Sequence, residues 1–351
     1  MSNETTHTAD AKPYVSFVIP TLNSAGTLEA CLRSILGQDY PRDGYEIVIA
    51  DAGSSDATLE IARAQGVDKI VPNPLKTGEA GKSAGIEASR GALIALVDSD
   101  NILPDAAWLR NMVAPFDDPA IVASEPLSYT ARKEDPALTR YFALLGMNDP
   151  LCLFTGNYDR FSCVTGRWTE LPVHQELVSN YLKLTLTKET LPTIGANGFV
   201  FRRTLLERVR WTPYFFDIDI LCEAIDAGYN HVAKVKTGIV HLYCARLADF
   251  ARKQRRRIRD FLFFAQEKQR SYPWDRQKKS GVVWFVLETA LVFPLLWQML
   301  KGFVRHPDAA WFYHIPVCWV TLWVYGIGTL RKLLGLRQAP VSRETWQKKG
   351  T

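Results

Sequence analysis

The sequence has few cysteines, and no two of them have the close spacing of a metal-binding or redox-active pair. Its six cysteines are scattered over 351 residues, and no two form a C-x-x-C pair. A zinc module or a thioredoxin-like motif is therefore not predicted, and the thiols are typical of a reducing cytosolic setting. The first residues, MSNETTHTADAKP, lack an apolar run, which excludes a signal peptide and predicts a disordered tail over 1–13.

Charge of one sign is not dominant overall, but it is unevenly placed. The net charge is +5, with 47% apolar and 23% charged residues, a composition that suits one large or two modest folded domains. Six of the eight residues from Arg252 to Arg259 are Lys or Arg, and the chain after Leu330 is again basic. This asymmetry predicts an anionic partner: a lipid surface, a diphosphate or a nucleic acid.

The first third of the chain alternates apolar runs with helical patterns. The predicted strands cover 15–20, 45–50, 69–71 and 92–97, and the predicted helices cover 28–36, 56–64, 79–90 and 104–116. Alternation of this kind predicts an α/β fold with a mostly parallel central sheet covered on both faces. Ligands bind such sheets beyond the carboxyl ends of the strands.

The middle of the chain loses this rhythm. Residues 127–192 are rich in Pro, Trp, Tyr and polar residues, and we interpret them as an insertion over the site that holds an acceptor. Regular patterns return at 197–209, at a helix over 219–227, and at two short strands around Val232 and Val240.

The last third of the chain alternates between basic and apolar stretches. Residues 246–280 predict a basic amphipathic helix and linker that suit a membrane interface, or else a solvated helix packed on the domain. Two apolar stretches, 281–299 and 309–330, approach the length of a bilayer span and predict a two-helix membrane hairpin over 281–330. Basic flanks place both ends, including the tail over 331–351, in the cytosol. Buried core helices and a re-entrant or in-plane hairpin are the alternatives.

A pair of acids follows the fourth predicted strand. Asp98-Ser99-Asp100 lies at the carboxyl end of an apolar run, and carboxylates are ligands that Mg²⁺ and Mn²⁺ prefer. An ordinary turn with an Asx cap would explain the same residues. The segment Gly81-Lys82-Ser83 is not a P-loop, because position 76 is Lys76 where that motif requires glycine.

Four motifs in order carry a family resemblance. They are Pro20-Thr21-Leu22-Asn23, the segment from Asp51 to Thr58, Gly81 to Gly85, and Asp98-Ser99-Asp100. In this order and spacing they resemble the family 2 glycosyltransferases, and the resemblance covers about residues 14–245. It implies a Rossmann-like GT-A domain.

The resemblance implies roles for particular residues. It implies donor binding, metal binding, catalysis and acceptor contact by four sets: nucleotide-sugar-binding Pro20, Thr21, Asn23, Asp51, Gly53, Lys82 and Asp98; metal-binding Asp100 and His241; the catalytic base Asp217; and, near the acceptor, Gly195, Asn197 and Asp219. Two positions depart from the family pattern. Ala52 replaces a second acid, which leaves the nucleotide open, and Lys82 replaces an arginine.

The implied activity is a metal-dependent, inverting transfer of a sugar from a nucleotide-diphosphate donor. The expected cofactor is Mg²⁺ or Mn²⁺. The expected partners are the donor, a lipid-linked or cell-envelope glycan acceptor and membrane lipids, with no nucleic acid and with the catalytic domain on the cytoplasmic face. A non-catalytic nucleotide-sugar-binding module and a nucleotidyltransferase are the alternatives. Gln254 to Ile258 also resembles in part the Q-x-x-R-W motif of processive synthases, with Ile258 in place of Trp.

Overall fold

The computed structural model describes residues 12–195, 197–267, 270–272 and 279–335. The greater part of the predicted tail over 1–13, part of the predicted linker before residue 280, and the basic tail beyond residue 335 lie outside the described residues.

The described strands form one sheet of ten strands. They are β1 (Val15–Thr21), β2 (Tyr45–Asp51), β3 (Lys69–Pro72), β4 (Leu93–Leu96), β5 (Asn101–Ile102), β6 (Ile121–Tyr129), β7 (His174–Val178), β8 (Tyr181–Thr185), β9 (Phe199–Arg202) and β10 (His231–His241). Their spatial order is β3-β2-β1-β4-β9-β6-β10-β8-β7, and β5 pairs with β10. The four strands predicted before residue 100 are confirmed.

Helices cover the sheet and continue beyond it. They are α1 (Ala25–Leu36), α2 (Thr58–Ala64), α3 (Gly78–Ala88), α4 (Trp108–Val113), α5 (Ala137–Leu145), α6 (Leu151–Thr155), α7 (Asp217–Asp226), α8 (Leu247–Glu267), α9 (Lys279–Leu291), α10 (Phe293–Arg305) and α11 (His314–Leu333). In α1, Leu28, Leu32 and Ile35 recur at helical spacing and are fully buried, so this helix is held by its apolar face.

One half of the sheet is parallel, as predicted. β1 lies between β2 and β4 and runs parallel to both, and β3 runs parallel to β2. The register places Thr21 of β1 beside Asp51 of β2. The carboxyl ends of these strands therefore meet at one edge, the edge at which ligands bind in α/β sheets.

The prediction of a mostly parallel sheet is wrong, because the other half is mixed. β9 runs antiparallel between β4 and β6, and β8 runs antiparallel to both β7 and β10. The β7–β8 hairpin turns tightly at Ser179, which has a φ of 52°, and a two-residue turn enforces antiparallel pairing. The two short strands predicted around Val232 and Val240 are the single strand β10.

The C-terminal helices differ from the predicted pair of straight spans. The first apolar stretch is broken between α9 and α10, which meet at Val292 (φ 64°) with a bend of 96°. Within the described ranges, none of the helices taken singly has the length and apolar character to cross a bilayer, whereas this bent pair meets the criterion jointly. Membrane attachment stays a prediction.

The predicted amphipathic helix is α8, and it packs on α11. The contact is close at Gly328 of α11, where a Cβ atom would lie 2.9 Å from the side chain of Ile258. A glycine therefore lets the two helices approach each other here. Ile258 is the residue that stands in place of the tryptophan of the Q-x-x-R-W motif, and in this chain it serves helix packing.

Candidate active site

The loops after β1 and β2 are tied together at the carboxyl edge. Thr21 Oγ1 donates a hydrogen bond of 2.9 Å to Asp51 Oδ1. The backbone N–H of Asn23 donates to Ser54 Oγ (2.9 Å), and Asn23 Oδ1 accepts from the backbone N–H of Ser55 (2.9 Å). These bonds fix the predicted donor-binding residues of the two loops relative to each other.

The Asp51 carboxylate accepts hydrogen bonds from the loop that follows β2. Its Oδ2 accepts from the backbone N–H groups of Gly53 (2.9 Å) and Ser54 (2.8 Å), and its Oδ1 accepts from Ser54 Oγ (2.6 Å) as well as from Thr21. Burial alone would raise the pKa of Asp51, but the bonds from Ser54, Thr21 and Gly53 hold it below its ordinary value. Gly53 has a φ of 89°, a conformation that favours glycine in this turn. The direct contact of Asp51 with a nucleotide stays a prediction.

Pro20 lies at the packing contact between β1 and α3. A Cβ atom at Gly81 would lie 2.9 Å from the Pro20 ring and 2.8 Å from Asn73 Nδ2. The glycine of the Gly81-Lys82-Ser83 segment therefore brings α3 close to the end of β1, and Lys82 follows on the first turns of that helix.

The two predicted metal ligands lie together. β5 pairs with the end of β10 so that Asn101 is opposite His241, and this brings His241 Nε2 to 3.5 Å from Asp100 Oδ1. Burial would raise the pKa of Asp100, but His241, with Lys253 beyond it, holds the pKa below its ordinary value. Asp98 lies in the same turn, where its backbone N–H donates to Asn101 Oδ1 (3.0 Å).

These ligands fit a divalent cation only in part. Among the described residues, no group of three or more His, Cys, Asp or Glu side chains is placed to hold a metal. Asp100 and His241 supply one oxygen and one nitrogen donor, a set that suits Mn²⁺ better than the strictly oxygen-preferring Mg²⁺. A cation held by these two residues requires further ligands from phosphate oxygens or water.

The predicted base is paired with Lys82, which is predicted to bind the nucleotide sugar. Lys82 Nζ donates to both carboxylate oxygens of Asp217, at 2.8 and 2.6 Å, and the two side chains are 10% and 17% exposed. Burial raises the pKa of Asp217 to about 6 against the opposing pull of Lys82. Burial would lower the pKa of Lys82, but the Asp217 and Asp98 carboxylates raise it above its ordinary value.

Gly195 packs directly on the base. Its φ is 130°, and a Cβ atom there would lie 2.5 Å from Asp217 Cβ. Two residues later, Asn197 (φ 56°) accepts a 3.0 Å hydrogen bond from Asn101 Nδ2 and donates to Tyr129 Oη at 3.1 Å. Gly195 thus touches the base, and Asn197 touches the loop that carries Asp98 and Asp100. Contact with an acceptor stays a prediction.

A buried ionic cluster behind this turn was missed from the sequence. Glu125 Oε2 accepts from Arg160 Nη1 (2.6 Å) and Lys234 Nζ (2.5 Å), and all three side chains are fully buried. Glu125 Oε1 accepts from the backbone N–H of Gly195 (2.9 Å). The cluster therefore holds the turn that packs on Asp217. The available signal was a charged residue inside each of two apolar strands, β6 and β10.

Asp219 binds the segment that contains Arg270 and Tyr272. Its carboxylate pairs with Arg270 Nε and accepts from the backbone N–H of Tyr272 at 3.0 Å. It therefore holds the chain that follows α8 against the start of α7, and the acceptor role predicted for it remains untested.

The Q-x-x-R residues of α8 reach the site through one asparagine. Gln254 Nε2 (3.4 Å) and Arg257 Nη1 (3.1 Å) donate to the backbone oxygen of Asn148. The Asn148 side-chain nitrogen lies 3.4 Å from His241 Nδ1, on the opposite side of the ring from Asp100. Tyr325 of α11 donates to Gln254 Oε1 at 3.1 Å, so the same residues also join α8 to α11.

Comparison with known proteins gives a family and a fold. The model described as "Glycosyl transferase family 2" matches residues 16–210. The chain is similar to the glycosyltransferase AglE of Haloferax volcanii, with 35% identity over 107 residues that cover 29% of this chain and 35% of that protein. It is also similar to a poly(ribitol-phosphate) beta-glucosyltransferase of Bacillus spizizenii, with 32% identity over 103 residues that cover 27% of this chain and 16% of that protein. The chain thus spans about a third or less of these curated relatives.

A solved structure shares the architecture. It is the mannosyltransferase PcManGT from Pyrobaculum calidifontis in complex with GDP-Man and Mn²⁺. The two chains are 18% identical, the comparison covers 96% of this chain and 84% of that one, and the TM-score is 0.50. At this identity the likeness is one of fold.

Proposed function

The chain belongs to glycosyl transferase family 2 with an α/β GT-A-like fold, and from this premise we propose that it transfers a sugar from a nucleotide-diphosphate donor with inversion. The observation that carries the proposal is Asp217, a largely buried carboxylate that is paired with Lys82 and has a pKa of about 6. A base of this pKa is ionised at neutral pH and remains strong enough to accept a proton.

The proposed reaction is a single displacement. The acceptor hydroxyl oxygen forms a bond to the anomeric carbon of the sugar, and the bond from that carbon to the diphosphate oxygen breaks with its electron pair. Asp217 takes the hydroxyl proton. Gly195 packs on Asp217 and Lys82 pairs with it, so these two neighbours keep the carboxylate ionised and oriented.

Asp100 and His241 would hold a divalent cation, and their oxygen and nitrogen donors favour Mn²⁺. Such a cation would neutralise negative charge on the diphosphate as it departs. The mannosyltransferase from Pyrobaculum calidifontis, which shares this fold, is described with GDP-Man and Mn²⁺. We extend only the class of ligand to this chain: a nucleotide-diphosphate sugar with a divalent metal.

The proposed acceptor is a lipid-linked or cell-envelope glycan reached from a membrane surface. Among the residues whose exposure the structure describes, nineteen of the twenty-five exposed large apolar side chains lie in residues 282–334, within or next to α9, α10 and α11. A patch of this extent is typical of a membrane or protein interaction site. Because basic residues flank these helices, we place the catalytic domain on the cytoplasmic face.

The test is donor turnover by the purified protein in detergent. A panel of nucleotide sugars is supplied with Mn²⁺ or Mg²⁺ and a membrane lipid extract, and wild type is compared with Asp217→Asn and Asp100→Ala. Asp226→Asn is the matched control, because this exposed acid lies at the far end of the same helix as Asp217. We expect one donor to be consumed by wild type and the control, with a loss of at least about a hundredfold in the other two variants. Donor binding without turnover in wild type would instead indicate the non-catalytic binding module.

A further inference from the structure

Lys253 reaches from α8 toward the predicted metal ligands. Its ammonium donates a hydrogen bond to the backbone oxygen of Tyr243 and lies 4.3 Å above the centroid of the Tyr243 ring. That ring is 5.3 Å from the ring of His241, which in turn contacts Asp100. The lysine ammonium and the His241 ring therefore both lie against the Tyr243 ring, close to the Asp100–His241 pair.

The ammonium of Lys253 has no carboxylate partner within ion-pair distance in the described part of the chain. Two neighbouring arginines differ, because Arg246, just before α8, and Arg252 on α8 both pair with Asp249. Lys82, which is predicted to bind the nucleotide sugar, also differs, because its ammonium donates to both carboxylate oxygens of Asp217. A primary ammonium has three hydrogen-bond donors, and the contact with Tyr243 uses one of them.

The nearby acids are those of the proposed donor site. Burial lowers the pKa of Lys253, while Asp100 and, more weakly, Asp98 oppose that change. The lysine therefore lies within the electrostatic reach of both acids without bonding to either. A half-buried cation in this position is stabilised by an additional anion, and a nucleotide diphosphate carries the required charge.

We propose that Lys253 is a further donor-binding residue, whose ammonium contacts the diphosphate of the nucleotide beside Asp100 and His241. This inference rests on the proposed function. It assigns to α8, which also packs on α11, a direct part in donor binding. It also distinguishes two lysines: Lys82 pairs with the proposed base, and Lys253 contacts the diphosphate.

The inference is tested by binding rather than by turnover. Affinities for UDP, GDP and the corresponding monophosphates are measured by calorimetry with Mn²⁺ for wild type, Lys253→Met and Lys253→Arg. Arg252→Met is the matched control, because this adjacent arginine is 74% exposed and pairs with Asp249. We expect Lys253→Met to weaken diphosphate binding about tenfold or more, with a smaller effect on the monophosphate. Lys253→Arg should keep most of the wild-type affinity for the diphosphates. Arg252→Met should change neither the diphosphate nor the monophosphate affinity.

The outcomes separate the two proposals. Unchanged diphosphate affinity in Lys253→Met would overturn the inference and leave the proposed function standing. An equal loss for mono- and diphosphate would also overturn it, because it would indicate a structural role. Failure of wild type to bind any nucleotide would remove both. Thermal unfolding of each variant verifies its fold, and Lys253→Gln replaces Lys253→Met if the latter is unfolded.

Discussion

At the scale of single residues, the ionisation of Asp217 depends on the cation beside it. Burial raises the pKa of this carboxyl to about 6, and the ammonium of Lys82 is the main group that opposes the rise. A general base must be deprotonated, so the active form exists above this pKa. The specificity constant kcat/KM of wild type is therefore expected to fall as the pH drops through about 6.

Replacing Lys82 by methionine should move this acid limb to higher pH. Without the Lys82 ammonium, the largest effect that lowers the pKa of Asp217 is lost. The acid limb should therefore shift upward by about one pH unit or more. The measurement is the pH profile of kcat/KM. Lys82→Arg keeps the charge and should hold the limb near that of wild type. An acid limb at the same pH in Lys82→Met would show that Asp217 is not the base or that Lys82 does not control it.

The residues show which contacts a sequence can and cannot reveal. Asp100 and His241 were predicted to lie together, and they do. The pairing of Lys82 with Asp217 was not predicted, because the two positions are 135 residues apart and each has a separate role in the family pattern. Asp219 was assigned to the acceptor region, but its bonds to Arg270 and Tyr272 depend on a loop whose path the sequence does not specify.

At the scale of elements, strand direction is predictable only where connections are short and regular. The β1 to β4 half alternates with helices, and its parallel pairing follows from that alternation. β9 lies between β4 and β6, and it comes after a long segment that contains α5, α6, β7 and β8. Neither the direction of β9 nor its neighbours can be derived from local periodicity. The sequence therefore predicted a mostly parallel sheet, whereas the observed sheet is mixed.

The cluster of Glu125, Arg160 and Lys234 joins β6, β10 and the turn at Gly195. Asp159 also pairs with Arg160, at 2.7 Å. Burial lowers the pKa of Lys234 to about 8, and Glu125 opposes that change. The buried Lys234 ammonium is therefore stabilised by the Glu125 carboxylate, and removing either partner leaves a buried charge uncompensated.

Glu125→Gln should destabilise the fold by about 3 kcal/mol, because it leaves two buried cations with only Asp159 as a nearby carboxylate. The glutamine oxygen can still accept from Gly195, so the turn itself is kept. Urea unfolding measures the loss. The double variant Glu125→Gln, Lys234→Met removes one charge of each sign and should lose less than the sum of the two single variants. Strictly additive losses would show that the two charges are not coupled.

At the scale of the whole molecule, the apolar surface is concentrated in α9 to α11. Phe293 is 81% exposed, and Trp297 and Trp323 are 59% and 69% exposed. Phe293 and Trp297 lie on α10, just after the bend of 96° between α9 and α10, and Trp323 lies on α11. Lys301 lies over the Trp297 ring at 5.5 Å, an arrangement that suits a headgroup region, where aromatic and basic side chains meet.

This surface predicts binding to a bilayer that persists in salt. Purified protein is sedimented with liposomes of phosphatidylcholine and phosphatidylglycerol at low and high ionic strength. Phe293→Ser should weaken binding at least about tenfold, because losing the burial of a phenylalanine side chain in the bilayer costs about 1.5–3 kcal/mol. Leu177→Ser is the matched control, since Leu177 is 64% exposed but lies on β7 in the catalytic domain. Equal losses in both variants, or complete release by salt, would contradict insertion of this apolar surface into the bilayer. The apolar helices would then be a surface for another protein, and the acceptor would not need to be presented by a membrane.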